Sequence, residues 1–284
     1  MSARTGVPAL ARFLVAMLAA AAFAGQAPSP APSAPAGRVE ELSIPSARDR
    51  RARRVWVYTP PRYAPDAAAP YGLLVVFDGQ EYVEDFQLPK VLDSLLAARK
   101  APPLVAVMID NASGAARLDD LANRARFAAF LGDELLPWVR SRWTATRDPR
   151  GTIVTGSSAG GLAAAYVAWK RPDLFGNVLS QSGAFWRGNE ASNDPPYEWL
   201  TSQYAAAPKR DIRFVLEVGA LESRGALGGA APSILEANRR LRDALRKKGY
   251  DVTYAEVPNG QHTPESWRER LPDAIAALAR APAR

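Results

Sequence analysis

The pentapeptide Gly156-Ser157-Ser158-Ala159-Gly160 lies between a short β-rich stretch, Thr152-Ile153-Val154, and a run of small apolar residues, Leu162 to Lys170. It reads Gly-x-Ser-x-Gly. Between a strand and a helix that pattern builds a tight turn that pushes one serine Oγ out of the backbone. Ser158 is the central residue, and Ser157 occupies an x position and points elsewhere. With glycine and serine each near 7% of residues, the pattern arises by chance in about one chain of this length in ten. The flanking strand and helix signals therefore carry as much weight as the pentapeptide. A serine hydroxyl is a weak nucleophile and needs a neighbouring base. The whole chain offers one imidazole, His262, after the turn Asn259-Gly260-Gln261.

Strand and helix signals alternate along the chain. Val55–Tyr58, Leu73–Phe77, Leu104–Ile109, Thr152–Val154, Asn177–Ser180, Ile212–Val218 and Val252–Val257 read as strands. Helical spacing is read over 91–98, 127–143, 162–170, 233–248 and 264–279, with breaks or kinks expected at Pro137 and Pro272. Ser233 is a candidate N-cap. Such alternation predicts a mostly parallel sheet covered by helices on both faces. A serine elbow followed late in the chain by a histidine is the order of the α/β-hydrolase fold, in which an Asp or Glu stands between them.

That acid belongs on a loop at the C-terminal end of a strand. Glu222, after Gly219-Ala220-Leu221, is the favoured candidate. Glu217 lies still within its strand, and Asp251 begins the next strand at the wrong edge. An acyl-transfer site also needs two N–H donors for the developing oxyanion. The residue after the nucleophile, Ala159, supplies one, and Gln80 in the loop Asp78-Gly79-Gln80 is the candidate for the other.

Arg4 and Arg12, the apolar run Phe13 to Ala22 and the small-x-small triplet Ala22-Phe23-Ala24 read as a secretory signal peptide over residues 1–24. Residues 25–37 read as an Ala/Pro/Ser-rich linker, and 38–284 as one catalytic domain. Export to the periplasm or beyond is expected, with no stable membrane anchor after cleavage. The chain has no cysteine, and one histidine cannot build a His-rich metal site; no cofactor is expected. Net charge is +7, and the two leader arginines account for part of it. The densest basic run, Arg50 to Arg54, is read as an exposed strand edge whose charges discourage pairing. No nucleic-acid motif accompanies it.

The segments Ile153–Ala164, Phe175–Trp186, Phe130–Trp138 and Gly260-Gln261-His262 with Trp267-Arg268 together resemble the enterochelin esterase/esterase D family. The resemblance spans about residues 40–280. It implies an α/β-hydrolase fold, ester hydrolysis, and Ser158 and His262 as catalytic residues. It supports Gln80 as oxyanion donor and Glu222 as acid, although some members work mainly as a Ser–His dyad. Arg117 aligns with a family arginine near the pocket; the other reading is a surface salt bridge with Asp120 or a neighbour. The family's cytosolic members carry an extra N-terminal domain, and the exported branch without it fits this chain. The segment 187–210 carries no family signature and is read as a lid or pocket wall.

The expected function is a serine ester hydrolase acting on a small-molecule ester, such as a siderophore trilactone in its ferric form or a related polar ester. Acetyl or feruloyl ester cleavage, acyl transfer, and a non-catalytic binding role on the same scaffold are the alternatives. Clustered arginines in the pocket would favour the siderophore. An aromatic platform around Trp186 would favour carbohydrate or aromatic acyl groups.

Overall fold

The computed structural model describes residues 35–47, 51–111, 114–189 and 192–279. The signal-peptide reading and most of the linker lie outside the described residues.

Two nine-residue strands open the fold, β1 (Arg38–Ser46) and β2 (Arg51–Thr59), paired antiparallel along their full length. The parallel part begins with β3 (Gly72–Val76), followed by α1 (Gly79–Glu84), α2 (Leu88–Ala97) and β4 (Leu104–Ile109). Next come α3 (Gly114–Leu121), α4 (Ala125–Phe130) and α5 (Leu136–Arg140), then β5 (Thr152–Ser157), α6 (Ala159–Lys170) and β6 (Asn177–Gln181). The rest comprises α7 (Trp199–Ala206), β7 (Arg213–Gly219), a small hairpin β8 (Gly225–Ala226) and β9 (Ala231–Ser233), α8 (Ile234–Lys247), β10 (Asp251–Val257) and α9 (Pro264–Ala279). The main sheet runs β1-β2-β4-β3-β5-β6-β7-β10, and every pairing from β4 to β10 is parallel.

Successive strand residues face opposite sides of the sheet, so two apolar cores form. Val55, Val57, Leu73, Val75, Val105, Val107 and Ile109 join one, with residues of α4, α5, α6 and α8. Trp56, Tyr58, Leu74, Val76, Ala106 and Met108 join the other, with α1, α2 and α9. β3, β4, β5 and β6 are buried on both faces, which explains their unbroken apolar runs.

Several expectations need correction. The described part of the basic run, Arg51 to Arg54, is not on an exposed edge: β2 is an interior strand, covered by β1, which the residue patterning does not reveal. Arg53 is almost fully buried rather than solvated. The break expected at Pro137 is present: a π turn at Leu131–Leu135, just before the proline, divides the helical stretch 127–143. Pro137 has no N–H to donate to the carbonyl four residues back, so the wide turn falls where an α-helical bond is missing. α9 instead runs unbroken through Pro272. The segment 187–210 contains a helix, α7, whose Leu200 and Tyr204 are buried in the core. Ser233 does cap α8, in a capping box with Glu236.

Candidate active site

Ser158 sits between β5 and α6 with φ 56° and ψ −118°. That conformation is unfavourable for a residue with a Cβ. The turn is held by its own backbone: Ser158 N–H donates to Gln181 O at 2.9 Å, and Ser158 O accepts from Leu162 N–H and Ala184 N–H. The two motif glycines have a packing reason. A Cβ on Gly156 would stand 2.6 Å from the carbonyl carbon of Gly160, and one on Gly160 would approach Asp78 Oδ2 at 3.1 Å. Ser157 is buried beneath the turn.

His262, after β10, reaches back across 104 residues: its Nε2 lies 2.9 Å from Ser158 Oγ. Its Nδ1 lies 2.6 Å from Glu222 Oε2. An ionised carboxylate only accepts, so Nδ1 carries the ring proton and Nε2 is left to accept from the serine. The Trp267 ring meets the imidazole edge-on, with centroids 4.9 Å apart.

Glu222 is buried just beyond the end of β7. Its second oxygen, Oε1, accepts from Ser182 Oγ at 2.5 Å and from Gly219 N–H at 2.9 Å. Ser182 Oγ in turn accepts from Trp267 Nε1–H at 2.9 Å. The competing acids sit elsewhere. Glu217 bonds Gln181 Nε2 and lies 3.4 Å from Arg270, and burial pushes its carboxyl up. Asp251 is exposed and pairs with Arg213. Ser158, Glu222, His262 and the loop Asp78–Gln80 all follow the C-terminal ends of parallel strands, where open α/β sheets form their binding crevice.

Ala159 opens α6 and Gln80 lies in the first turn of α1, so neither N–H has an intrahelical acceptor. Beside the elbow opens a cleft of about 510 Å³ lined by Asp78, Gln80, Glu81, Glu84, Asp85, Asp110, Gly114 and Arg117. Arg117 thus lines a cleft, but its guanidinium is engaged by Asp78 rather than by Asp120: Nε–Oδ1 is 2.6 Å and Nη2–Oδ2 is 2.7 Å. Arg54 pairs with Asp110. Burial, reinforced by the Asp78 carboxylate, pushes Glu81 up to about 7. Trp186 is packed into the core, with the Arg187 guanidinium over its ring.

With this geometry in view, a family model described as putative esterase matches residues 46–278. The chain belongs to this esterase family. It is 34% identical over 257 residues to an iron(III) enterobactin esterase of Dickeya dadantii, covering 86% of this chain and 55% of that protein. To the iron(III) enterobactin esterase of Escherichia coli K12 it is 30% identical over 248 residues, covering 87% and 58%. Among solved structures, the ferric enterobactin esterase of Salmonella typhimurium superposes with a TM-score of 0.75 at 30% identity, covering 87% of this chain and 59% of that one. A ferulic acid esterase shares the fold at 16% identity, with a TM-score of 0.71. The architecture is that of the α/β-hydrolase esterases. The chain spans somewhat more than half the length of the curated relatives it matches.

Other residues around the site escaped the sequence reading. Asp78 as partner of Arg117, Asn111 beneath the Asp78 loop, and the buried Arg53–Asp120 pair emerge only from contacts across 33 residues or more, or from burial. Ser182 lay within the Leu179-Ser180-Gln181-Ser182-Gly183 stretch and Trp267 within the histidine segment, so a signal for both was present in the family-like motifs.

Proposed function

We propose that the protein is a serine ester hydrolase with Ser158 as nucleophile, His262 as general base and acid, and Glu222 as the orienting carboxylate. The observation that carries this reading is the unbroken chain from Ser158 Oγ through His262 to Glu222, at 2.9 and 2.6 Å. Ser158 Oγ attacks the ester carbonyl as its proton passes to His262 Nε2. The imidazolium, stabilised by Glu222, then protonates the departing alkoxide. The acyl-enzyme is cleared by a water that gives its proton to the same nitrogen. The N–H groups of Ala159 and Gln80 stabilise the two oxyanions that form on the way. The basic-then-apolar segment 4–22 supports export of the enzyme.

The names of the relatives support a siderophore trilactone as substrate. The charge of the cleft narrows that reading. Five carboxyl groups line it, those of Asp78, Glu81, Glu84, Asp85 and Asp110; Arg117 pairs with Asp78 and Arg54 with Asp110. A ferric catecholate is polyanionic, and such a cleft opposes it. The iron-free trilactone or another uncharged polar ester suits the cleft better. An acetyl or feruloyl ester of a sugar is the second reading, favoured by the same charge pattern.

The test is hydrolysis of p-nitrophenyl acetate, iron-free enterobactin and ferric enterobactin by the purified protein, with Ser158→Ala as blank. Serine-dependent cleavage of any of them supports the esterase reading. Preference for the ferric complex over the iron-free form would overturn the charge argument. Inactivity on all three, with an intact fold, would point to acyl transfer or to a binding role.

A further inference from the structure

The loop Asp78-Gly79-Gln80 is held in a conformation the chain does not prefer. Asp78 has φ 54° and ψ 45°, in the left-handed region. Such a conformation persists only where the surroundings over-determine it. Three contacts do so here. Gly79 is pressed against the β4 backbone, where a Cβ would stand 2.6 Å from the Met108 carbonyl carbon. The Asp78 carboxylate is clamped by Arg117. The Asp78 N–H donates to Asn111 Oδ1 at 2.9 Å.

The Asn111 amide has two faces, and only its oxygen can accept from Asp78 N–H. Its orientation is selected on the other side. Asn111 Nδ2 donates to Asp120 Oδ2 at 3.1 Å. An ionised Asp120 accepts and cannot donate, so the amide must turn its nitrogen that way. Asp120 is the carboxylate partner of Arg53, through bonds of 2.6 and 2.7 Å between side chains that are 2% and 1% exposed. The Arg53 guanidinium lies over Phe130, 4.7 Å from the ring centroid. For stability alone a buried ion pair has little advantage over apolar residues of the same volume. A hydrophobic replacement, however, could not choose between the two faces of an amide.

On this basis we infer that Asn111 and Arg117 are positioning residues for the oxyanion loop, and that the buried Arg53–Asp120 pair acts on the loop through Asn111. Arg117 also places Nη2 3.5 Å from Ser157 O, which ties the loop to the strand that carries the nucleophile. The separation between the Gln80 and Ala159 donors is thereby held. The inference rests on the esterase reading for its catalytic consequence, but not for its structural content.

The test uses the full chain and the variants Asn111→Ala, Arg117→Ala, Arg117→Lys and Asp120→Asn. The comparison variant is Asn177→Ala, which removes a buried amide bonded to Arg150 O and Thr152 O, remote from the loop. Kinetics on p-nitrophenyl acetate and affinity for a boronic acid, which presents a tetrahedral oxyanion, are measured alongside hydrogen exchange of residues 78–84. Asn111→Ala and Arg117→Ala are expected to lower kcat by about ten- to a hundredfold, with KM within about threefold and boronate affinity falling in parallel. Arg117→Lys recovers part of the loss, and Asp120→Asn lowers kcat despite its matched volume. Exchange at the Asp78 amide rises in all but the Asn177→Ala protein, which loses thermal stability and keeps its kcat. A rise in KM at unchanged kcat would make Arg117 a substrate-binding residue and overturn the inference. So would unchanged exchange across 78–84. The exchange readout also decides the matter if the wild-type protein cleaves no ester, an outcome that would sink the functional reading separately.

Discussion

Ser182 Oγ donates to Oε1 of Glu222, the carboxylate oxygen that His262 does not use. One oxygen therefore faces the imidazole while the other is fixed by Ser182 and the Gly219 N–H. Ser182 also accepts from Trp267, whose ring packs edge-on against His262. One hydroxyl thus links the two groups packed against the His262 ring. Ser182→Ala leaves the buried Trp267 N–H without its acceptor, a loss of roughly 1–3 kcal/mol. We expect a kcat about tenfold lower with little change in KM, as a barrier rise near 1.4 kcal/mol gives. Steady-state kinetics with a denaturation curve for the same protein separate the two effects.

Ser158→Ala and His262→Ala should each abolish serine-dependent turnover, since the hydroxyl and its base act as one unit. Glu222→Ala should leave a measurable rate, lower by about 10²- to 10⁴-fold. Full activity in Glu222→Ala would move the acid role elsewhere or show a Ser–His dyad. A fluorophosphonate label read by mass spectrometry would locate the reactive serine independently of any chosen ester.

Arg53→Met is expected to destabilise the fold by about 3–5 kcal/mol, because it removes the bidentate guanidinium that pairs with the buried Asp120 carboxylate. The double variant Arg53→Met, Asp120→Leu should regain much of that stability while its kcat stays low. Urea midpoints of the two proteins provide the comparison.

Glu81 predicts a pH dependence. Its carboxyl is raised from 4.5 to about 7 in the folded protein, first by burial and then by Asp78. The folded state therefore binds this proton more tightly than the unfolded chain does. The stability that comes with it is complete below pH 4.5 and is lost as pH rises through about 7. Glu217 is raised too and acts in the same direction, so the difference between wild type and Glu81→Gln isolates the Glu81 share. That difference, from urea unfolding at a series of pH values, should grow across this window in favour of the variant. Ionised Glu81 also adds a negative charge to the cleft. The ratio of kcat/KM for an anionic ester to that for a matched neutral ester should fall through the same window, and Glu81→Gln should flatten it.

Gly156→Ala would set a Cβ 2.6 Å from the carbonyl carbon of Gly160, a backbone atom that cannot swing aside. We expect a loss of about 3 kcal/mol, together with a fall in kcat as the elbow shifts. Thermal unfolding and kinetics on the same preparation test both effects.

Local signals in the sequence determined the layered α/β architecture, the elbow serine, the lone imidazole and the order in which they occur. The runs at 104–109 and 152–154 showed strands buried on both faces, because a parallel sheet under helices leaves no polar side. Glu222 was legible as a residue past a strand end and so as the favoured partner of His262, but the geometry that joins the two across 40 residues comes from the fold. Tertiary structure alone decided the fate of the charges. Arg53 and Arg54 are neighbours in one basic run; alternation along β2 sends Arg53 inward to Asp120 and leaves Arg54 to pair with Asp110. Arg117 could be read as a pocket guanidinium or as half of a salt bridge until the fold brought Asp78 against it. A charge is recorded in sequence, but its partner, and hence the field it leaves for a substrate, is set by contacts between strand ends that lie far apart along the chain.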